Sequence, residues 1–464
     1  MNRSQVIAGR VLDITPGSLS DADFEQLARL IFDYAGCAYS GTAQPAGRGM
    51  RAWARTYTGA GQAGLLAAGG RVPPAIAALV NGTAGHCYEL DDTHDATLSH
   101  PGAVVISAAL AVAAETGSSG VDVMAAIAAG YEAMTRIGAA ANPLNVIEFG
   151  FHPTALFGCF GAAAAAAKLH GLDADKLLCA WGHCLSLASG STQFADESLG
   201  TDTKRTHAGY AAHQGVLAVE FSLNGVEAPR RAIDGKYGFI HLHGRDPRPE
   251  VLDQPAPTLA IHEISMKPYA CCRQFHSAID ALRVTTADFT KVDRIKGIII
   301  RGPRILKDQH MQMRPESSMA AQYSLPYVVG ATLAYGPSRH DAFAVENLQD
   351  RGILDWADIV KVEYDEELQS VFPEHFGTEV EITFDDGSAA TDRILDSRGT
   401  PALPLSWEQI AEKASSLAQD IRPGLDMDGL QSAVRGLRAA PNINALDMVL
   451  SADGAARVDA GAAD

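Results

Sequence analysis

The chain has 464 residues, 47% apolar and 20% charged, and its 37 basic and 55 acidic side chains leave a net charge of −18. That is enough apolar material for a large core in two or three domains of about 150 residues, and it excludes disorder and collagen-like repetition. The acidity excludes wrapping a nucleic acid. Seven cysteines, an odd number without a C-x-x-C pair, and no charged-then-apolar leader predict free thiols and a cytoplasmic location.

From Ser18 to about Ile240 the apolar spacing is helical. Leu19 to Ala22 reads as a helix start, with Phe24, Leu27, Leu30, Ile31 and Tyr34 on one face. The longest apolar stretches, Ala103 to Ala114 and Thr154 to Ala167, fall short of the roughly 18 residues of a membrane span, which predicts buried helices and no membrane partner. Aromatics are only 7%, so helices rich in Ala and Gly must approach through small side chains, most clearly at Gly161 to Ala167.

Between about Ala270 and Gly399 the texture changes. Val292 to Arg301 and Val380 to Phe384 are rich in β-branched residues, and Asp385, Asp386 and Gly387 predict a hairpin turn. After Leu403 to Trp407 the helical pattern returns at Ile410, Ala411, Ala414 and Leu417, and the tail from Asp453 is small and polar. The expectation is a mainly α protein, with a helical domain over 1–268 and 400–464 interrupted by an α+β domain over 269–399.

The richest polar segment runs from His86 through Glu89, Asp91, Asp92, Thr93, His94 and Asp95 to His100. If it is helical through Thr93, then His86, Glu89 and Asp92 or Thr93 share one face. Asp91, Asp92 and Asp95 also fit the aspartate-rich box with which all-helical prenyl synthases hold Mg²⁺ and diphosphate. A second box is missing, and aromatics to enclose an isoprenoid are scarce.

Proline follows His100, His152 and Lys267. A residue before proline is pushed out of the α region, and proline suits the first helical position, so His100 and His152 are expected to begin apolar helices. Unpaired N–H groups and the positive dipole end there attract anions and lower an imidazole pKa, making two such ends a candidate carboxylate trap with neutral His bases. Further cations stand in two short runs, Lys204 and Arg205 before His207 and Gly209, and Lys267 to His276 with Arg273. These are candidate carboxylate ligands, although Lys204 and Arg205 read alone as a solvated surface pair. The adjacent Cys271 and Cys272 suit no iron–sulfur spacing.

The ordered motifs Asn81 to His86, Glu89 to Thr93, His100 to Ala103, Phe151 to Thr154, Thr203 to Gly209, Lys267 to His276 and Ser324 to Tyr327 cover nearly the whole chain. In them the chain resembles the MmgE/PrpD family of 2-methylcitrate dehydratase, cis-aconitate decarboxylase and iminodisuccinate epimerase. The resemblance implies a large all-helical domain built from both chain ends, a smaller inserted α+β lid domain, and a homodimer. It places Asp92 or Glu89, Thr93, His100, His152, Lys204, Lys267 and Tyr327 around a small di- or tricarboxylate, with no metal or organic cofactor. Where the decarboxylase branch has Asp, this chain has Glu89.

Family chemistry moves a proton at a carbon next to a carboxylate, which needs a base, fixed positive charge and an acid. His152 and His100 are expected as base and acid, Lys204 and Lys267 as carboxylate clamps with Arg273 and His276 beside them, and Thr93 and Tyr327 as orienting donors. A 2-methylcitrate dehydratase-like hydro-lyase is the favoured expectation, with a carboxy-lyase or epimerase as alternatives. A non-catalytic dimeric interaction protein is the alternative of another class.

Overall fold

The computed structural model describes residues 2–195, 201–309, 311–420 and 423–452, so Gly200 and the polar tail from Asp453 lie outside the described residues. Helix makes up 60% and strand 8%, as a mainly α protein requires. The chain divides into two compact units, one formed by Met1–Thr192, Asp202–Ile264 and Trp407–Asp464, the other by Gln193–Thr201 and Ser265–Ser406.

In the first unit, α1 (Asp21–Gly41) begins where its start signal stands: the Ser20 side chain accepts from Asp23 N, and Asp23 answers from its own side chain. Then come α2 (Pro74–Gly85), α3 (Pro101–Thr116), α4 (Gly120–Ala140), α5 (Pro153–Leu169) and α6 (Thr203–Leu223). Proline opens α2, α3 and α5 with the φ of a first helical turn already set. Nearly every residue of these three helices is buried, so they form the centre of the unit, with α6 packed along α2 and α5 and α4 along α5.

Small side chains permit this packing. A Cβ on Gly161 of α5 would lie 2.7 Å from the Gly130 carbonyl of α4. One on Gly209 of α6 would lie 2.2 Å from the Leu79 carbonyl of α2 and 2.3 Å from Thr83 Oγ1. Gly209 therefore lets the start of α6 lie directly on the end of α2.

In the second unit a four-stranded sheet runs in the order β2-β1-β3-β4, where β1 is Ile295–Gly302, β2 Val360–Tyr364, β3 Thr378–Phe384 and β4 Ala389–Ile394. β1 pairs parallel with β2 and antiparallel with β3. The parallel pair needs a long crossover, which includes α8 (Leu325–Tyr335); α7 (His276–Thr285) packs on β3 and β4. The predicted hairpin joins β3 to β4, with Gly387 at φ 79°. The chain returns to the first unit with α9 (Trp407–Asp420), which packs on α1. Among the described residues no helix is long and apolar enough to cross a membrane.

One local expectation fails. Helix α2 stops at Gly85, His86 is its C-cap, and Glu89 adopts φ +55°, so His86 to Thr93 is a folded loop, not a continued helix. Its side-chain bonds explain this. His86 Nδ1 and Asp91 Oδ2 are 2.6 Å apart, whereas a five-residue step on a helix would turn them roughly 140° from each other.

Replacing Gly209 with Ala forces the α2 backbone away and should lower the unfolding free energy by about 1–3 kcal/mol. Urea titration checks this; an unchanged midpoint contradicts the close approach.

Candidate functional site

Four imidazoles gather in the first unit, each placed by a different stretch of chain. His86 caps the end of α2, His100 and His152 stand at the N-caps of α3 and α5, and His207 lies in the first turns of α6. Ring centroids are 4.9 Å apart for His86 and His100, 5.9 Å for His86 and His152, 6.5 Å for His100 and His152, and 5.0 Å for His152 and His207. All four are buried.

The contacts of His100 define its tautomer. Its Nδ1 lies 2.9 Å from the Asp92 carbonyl, which can only accept, so Nδ1 carries the proton and Nε2 the lone pair of the neutral ring. Thr93 Oγ1 is 3.2 Å from the same nitrogen, the Asp91 carboxylate 3.7 Å, and the backbone N–H of His100 donates to Thr154 Oγ1. At His152 the backbone N–H donates to the Gly190 carbonyl, and Nδ1 meets Nδ1 of His207 at 2.9 Å.

Burial first, and then Lys204 and the neighbouring rings, hold the His152 pKa well below that of an ordinary histidine. Burial, then His86 and Lys204, bring His207 down to about 4. Burial also lowers His86, against the opposing pull of Asp91. A neutral His152 at its helix start was expected from the dipole; here desolvation is the leading cause.

Lys204 and Arg205 are buried, which overturns their reading as a solvated pair. Both donate to Oε1 of Glu89, whose left-handed backbone turns its carboxylate toward α6. Two cations thus share one carboxylate. Asp92 turns elsewhere, accepting from Gly102 N at 2.8 Å and the Tyr131 hydroxyl at 2.6 Å, and so caps α3, whose own N-cap residue His100 contributes no side-chain cap. Burial pushes the Asp92 carboxyl up to about 7 although both hydrogen bonds oppose the rise.

Two supports hold the loop. Lys413 of α9 donates to both Asp33 of α1 and the Leu90 carbonyl, each at 2.7 Å. His94 bridges Thr97 Oγ1 at 2.8 Å and Glu263 at 3.0 Å, and Arg136 also donates to Glu263. Burial raises the Glu263 pKa, but these bonds outweigh it and bring it to about 2.

Among the described residues the set of three possible metal ligands within mutual reach is His86, Asp91 and His100, whose donor atoms lie within 4.8 Å of one another. Two nitrogens and one oxygen suit a borderline cation such as Zn²⁺ better than Mg²⁺. Asp92 and Asp95 do not join it, so the aspartate-rich diphosphate box does not assemble.

The other sequence-predicted residues lie in the second unit. Lys267 is buried, Arg273 donates to Ser397 Oγ at 3.1 Å, and His276 packs its ring on Tyr269 at 5.1 Å. The Tyr327 hydroxyl lies 2.9 Å from the Ala342 carbonyl and 3.1 Å from that of Asn347. Sequence reasoning gave no role to His207 or Lys413, set His86 only on a polar face and Asp91 only in the aspartate-rich box, and offered Arg205 as a candidate carboxylate ligand. Of these, all but Lys413 stand inside motifs already singled out; Lys413 carries no local signal.

A carboxyl raised from its ordinary value near 3.8 to about 7 binds a proton in the folded state that the unfolded chain has released. Asp92 should therefore make stability fall as pH rises from about 4 to 7. Asp92→Asn, which can keep both contacts, should flatten that fall in urea titrations at pH 5 and 8; equal slopes in both proteins contradict the raised pKa.

The family models for the MmgE/PrpD N-terminal domain and the MmgE/PrpD C-terminal domain match residues 5–252 and 269–431. The chain is 28% identical to a cis-aconitate decarboxylase of Aspergillus terreus over 91% of this chain and 90% of the relative. It is 28% identical to the human cis-aconitate decarboxylase over 94% and 91%. To the cis-aconitate decarboxylase-like protein oryM of Aspergillus oryzae it is 24% identical over 96% of each chain.

Proposed function

The chain belongs to the MmgE/PrpD family, and from that premise we propose that it is a hydro-lyase acting on a di- or tricarboxylate, with 2-methylcitrate as the leading substrate. The observation that carries this reading is the pairing of two buried histidines beside buried cations. His152, flanked by Lys204 and His207, is held neutral and suits a base. His100, whose Nδ1 lies 3.7 Å from the Asp91 carboxylate, stands on the other side of His86 and is the candidate acid.

In the dehydration, His152 Nε2 takes the proton from the carbon next to a carboxylate. The C–H bonding pair becomes the new C=C bond, and hydroxide leaves with a proton from His100. Lys204 and Arg205 bind a substrate carboxylate and stabilise the charge that develops on it. Thr93 orients His100 and the substrate. A homodimer in the cytoplasm completes the reading.

The names of the relatives favour a second reading, a carboxy-lyase acting on cis-aconitate. There the C–C bond to the departing CO₂ supplies the pair for a new C=C bond, while the old double bond takes a proton at the carbon next to its carboxylate. That reaction calls for an acid and no base, so a histidine held neutral is better explained by dehydration.

Incubation with 2-methylcitrate, citrate, cis-aconitate and iminodisuccinate in D₂O, followed by NMR, separates the outcomes. Loss of water from a hydroxy acid is expected. Monodeuterated itaconate from cis-aconitate would establish the second reading, and α-deuteration without net product would overturn both in favour of an epimerase. His152→Ala should cost about 10²-fold or more in kcat. Because a base with a lowered pKa is lost only when pH falls below that pKa, kcat/KM should stay level from pH 7 to below 6.5 on its acid side.

A further inference from the structure

His207 has no place in the chemistry above, yet its ring meets that of the proposed base. Nδ1 of His207 and Nδ1 of His152 are 2.9 Å apart. Such a contact holds one proton between two nitrogens, so one ring must donate from Nδ1 and the other must present a lone pair there. Two imidazolium ions cannot make it, nor can two rings protonated only at Nε2. When both rings are neutral, the pair therefore contains one ring of each tautomer.

The surrounding backbone holds His152 in place. His152 is tied to the Gly190 carbonyl at 2.9 Å, and Phe151 bridges Ser191. Gly190 adopts φ +141°, and a Cβ there would lie 2.3 Å from Ala155 Cβ and 3.8 Å from His207 Cε1. The absent side chain lets residues 190–191 close over the pair. The charged and titratable groups that face it are Lys204 on α6, His86 at the end of α2 and His100 at the start of α3, all cationic or neutral.

We propose that His207 is the positioning residue of His152: its Nδ1 lone pair fixes His152 as the Nδ1–H tautomer, so that the Nε2 lone pair meets the substrate, and it receives the Nδ1 proton when Nε2 becomes protonated. This rests on the reading of His152 as the base. The proton from carbon goes to Nε2 of His152, its bonding pair stays with the substrate, and the Nδ1 proton crosses to Nδ1 of His207, which already carries a proton on Nε2. The positive charge ends on His207, and His152 is neutral again as the Nε2–H tautomer. When Nε2 gives up its proton, the Nδ1 proton returns and the pair is reset. A carboxylate in the place of His207 would raise the His152 pKa; a neutral imidazole shares the charge without doing so.

The test reads the tautomers directly, by ¹⁵N–¹H correlation of histidine-labelled full-length protein at pH 7. His152 is expected as Nδ1–H and His207 as Nε2–H. The opposite assignment, or a charged ring at either position, overturns the proposal. His207→Leu should shift His152 toward Nε2–H and lower kcat on the order of 10²-fold with little change in KM. His207→Asn, whose side-chain carbonyl can accept the Nδ1 proton without taking it, should keep the Nδ1–H tautomer and lose less. Unaltered kcat and His152 spectrum in both variants contradict the positioning role. If the protein turns over none of the carboxylates, the reading of His152 as a base fails, while the wild-type spectrum still decides whether the pair exists.

Discussion

The site depends on one electrostatic constraint: Lys204 and Arg205 are buried and their charges must be compensated. A buried charge without a partner costs several kcal/mol, and Glu89 is the carboxylate that meets both. To reach them it adopts φ +55°, a conformation that disfavours any side chain except glycine and ends the run of helix after Gly85. The loop that follows then places Asp91 on His86, Asp92 on the N-terminus of α3 and Thr93 on His100. Two cations thus share the Glu89 carboxylate inside a protein of net charge −18.

The same cations govern the histidines. Lys204 adds to burial in lowering His152 and His207. The division of labour proposed for His152 and His100 rests on which charges each ring faces. The scaffold makes this possible at close range: prolines fix the starts of α3 and α5, and Gly209 lets α6 lie on α2, so that four imidazoles from four stretches of chain come within ring contact.

Much of the fold was legible in local chemistry. The Ser20 cap, the prolines after His100 and His152, the β-branched runs and the Asp385 to Gly387 turn each encode their element within a few residues. The helix expected through Thr93 was not, because its competitor is tertiary: carboxylates that find buried partners outweigh local propensity. For the same reason Lys204 and Arg205 read as surface residues, since only the fold brings Glu89 to them across more than a hundred positions. His207 stood in a noted motif, but its role depends on a nitrogen of His152. Lys413, reaching Asp33 and Leu90 from the far end of the chain, had no sequence signal at all.

The central claim, that Glu89 is the internal counter-ion of an anion site, is tested most directly by unfolding Glu89→Gln in urea with and without cis-aconitate. Without ligand the variant should lose about 3–5 kcal/mol, since two buried cations each lose a carboxylate. The tricarboxylate should then restore more stability to the variant than it adds to the wild type, because its carboxylate takes the vacated place. Equal stability of the two proteins, or an equal gain from the ligand, would contradict the account.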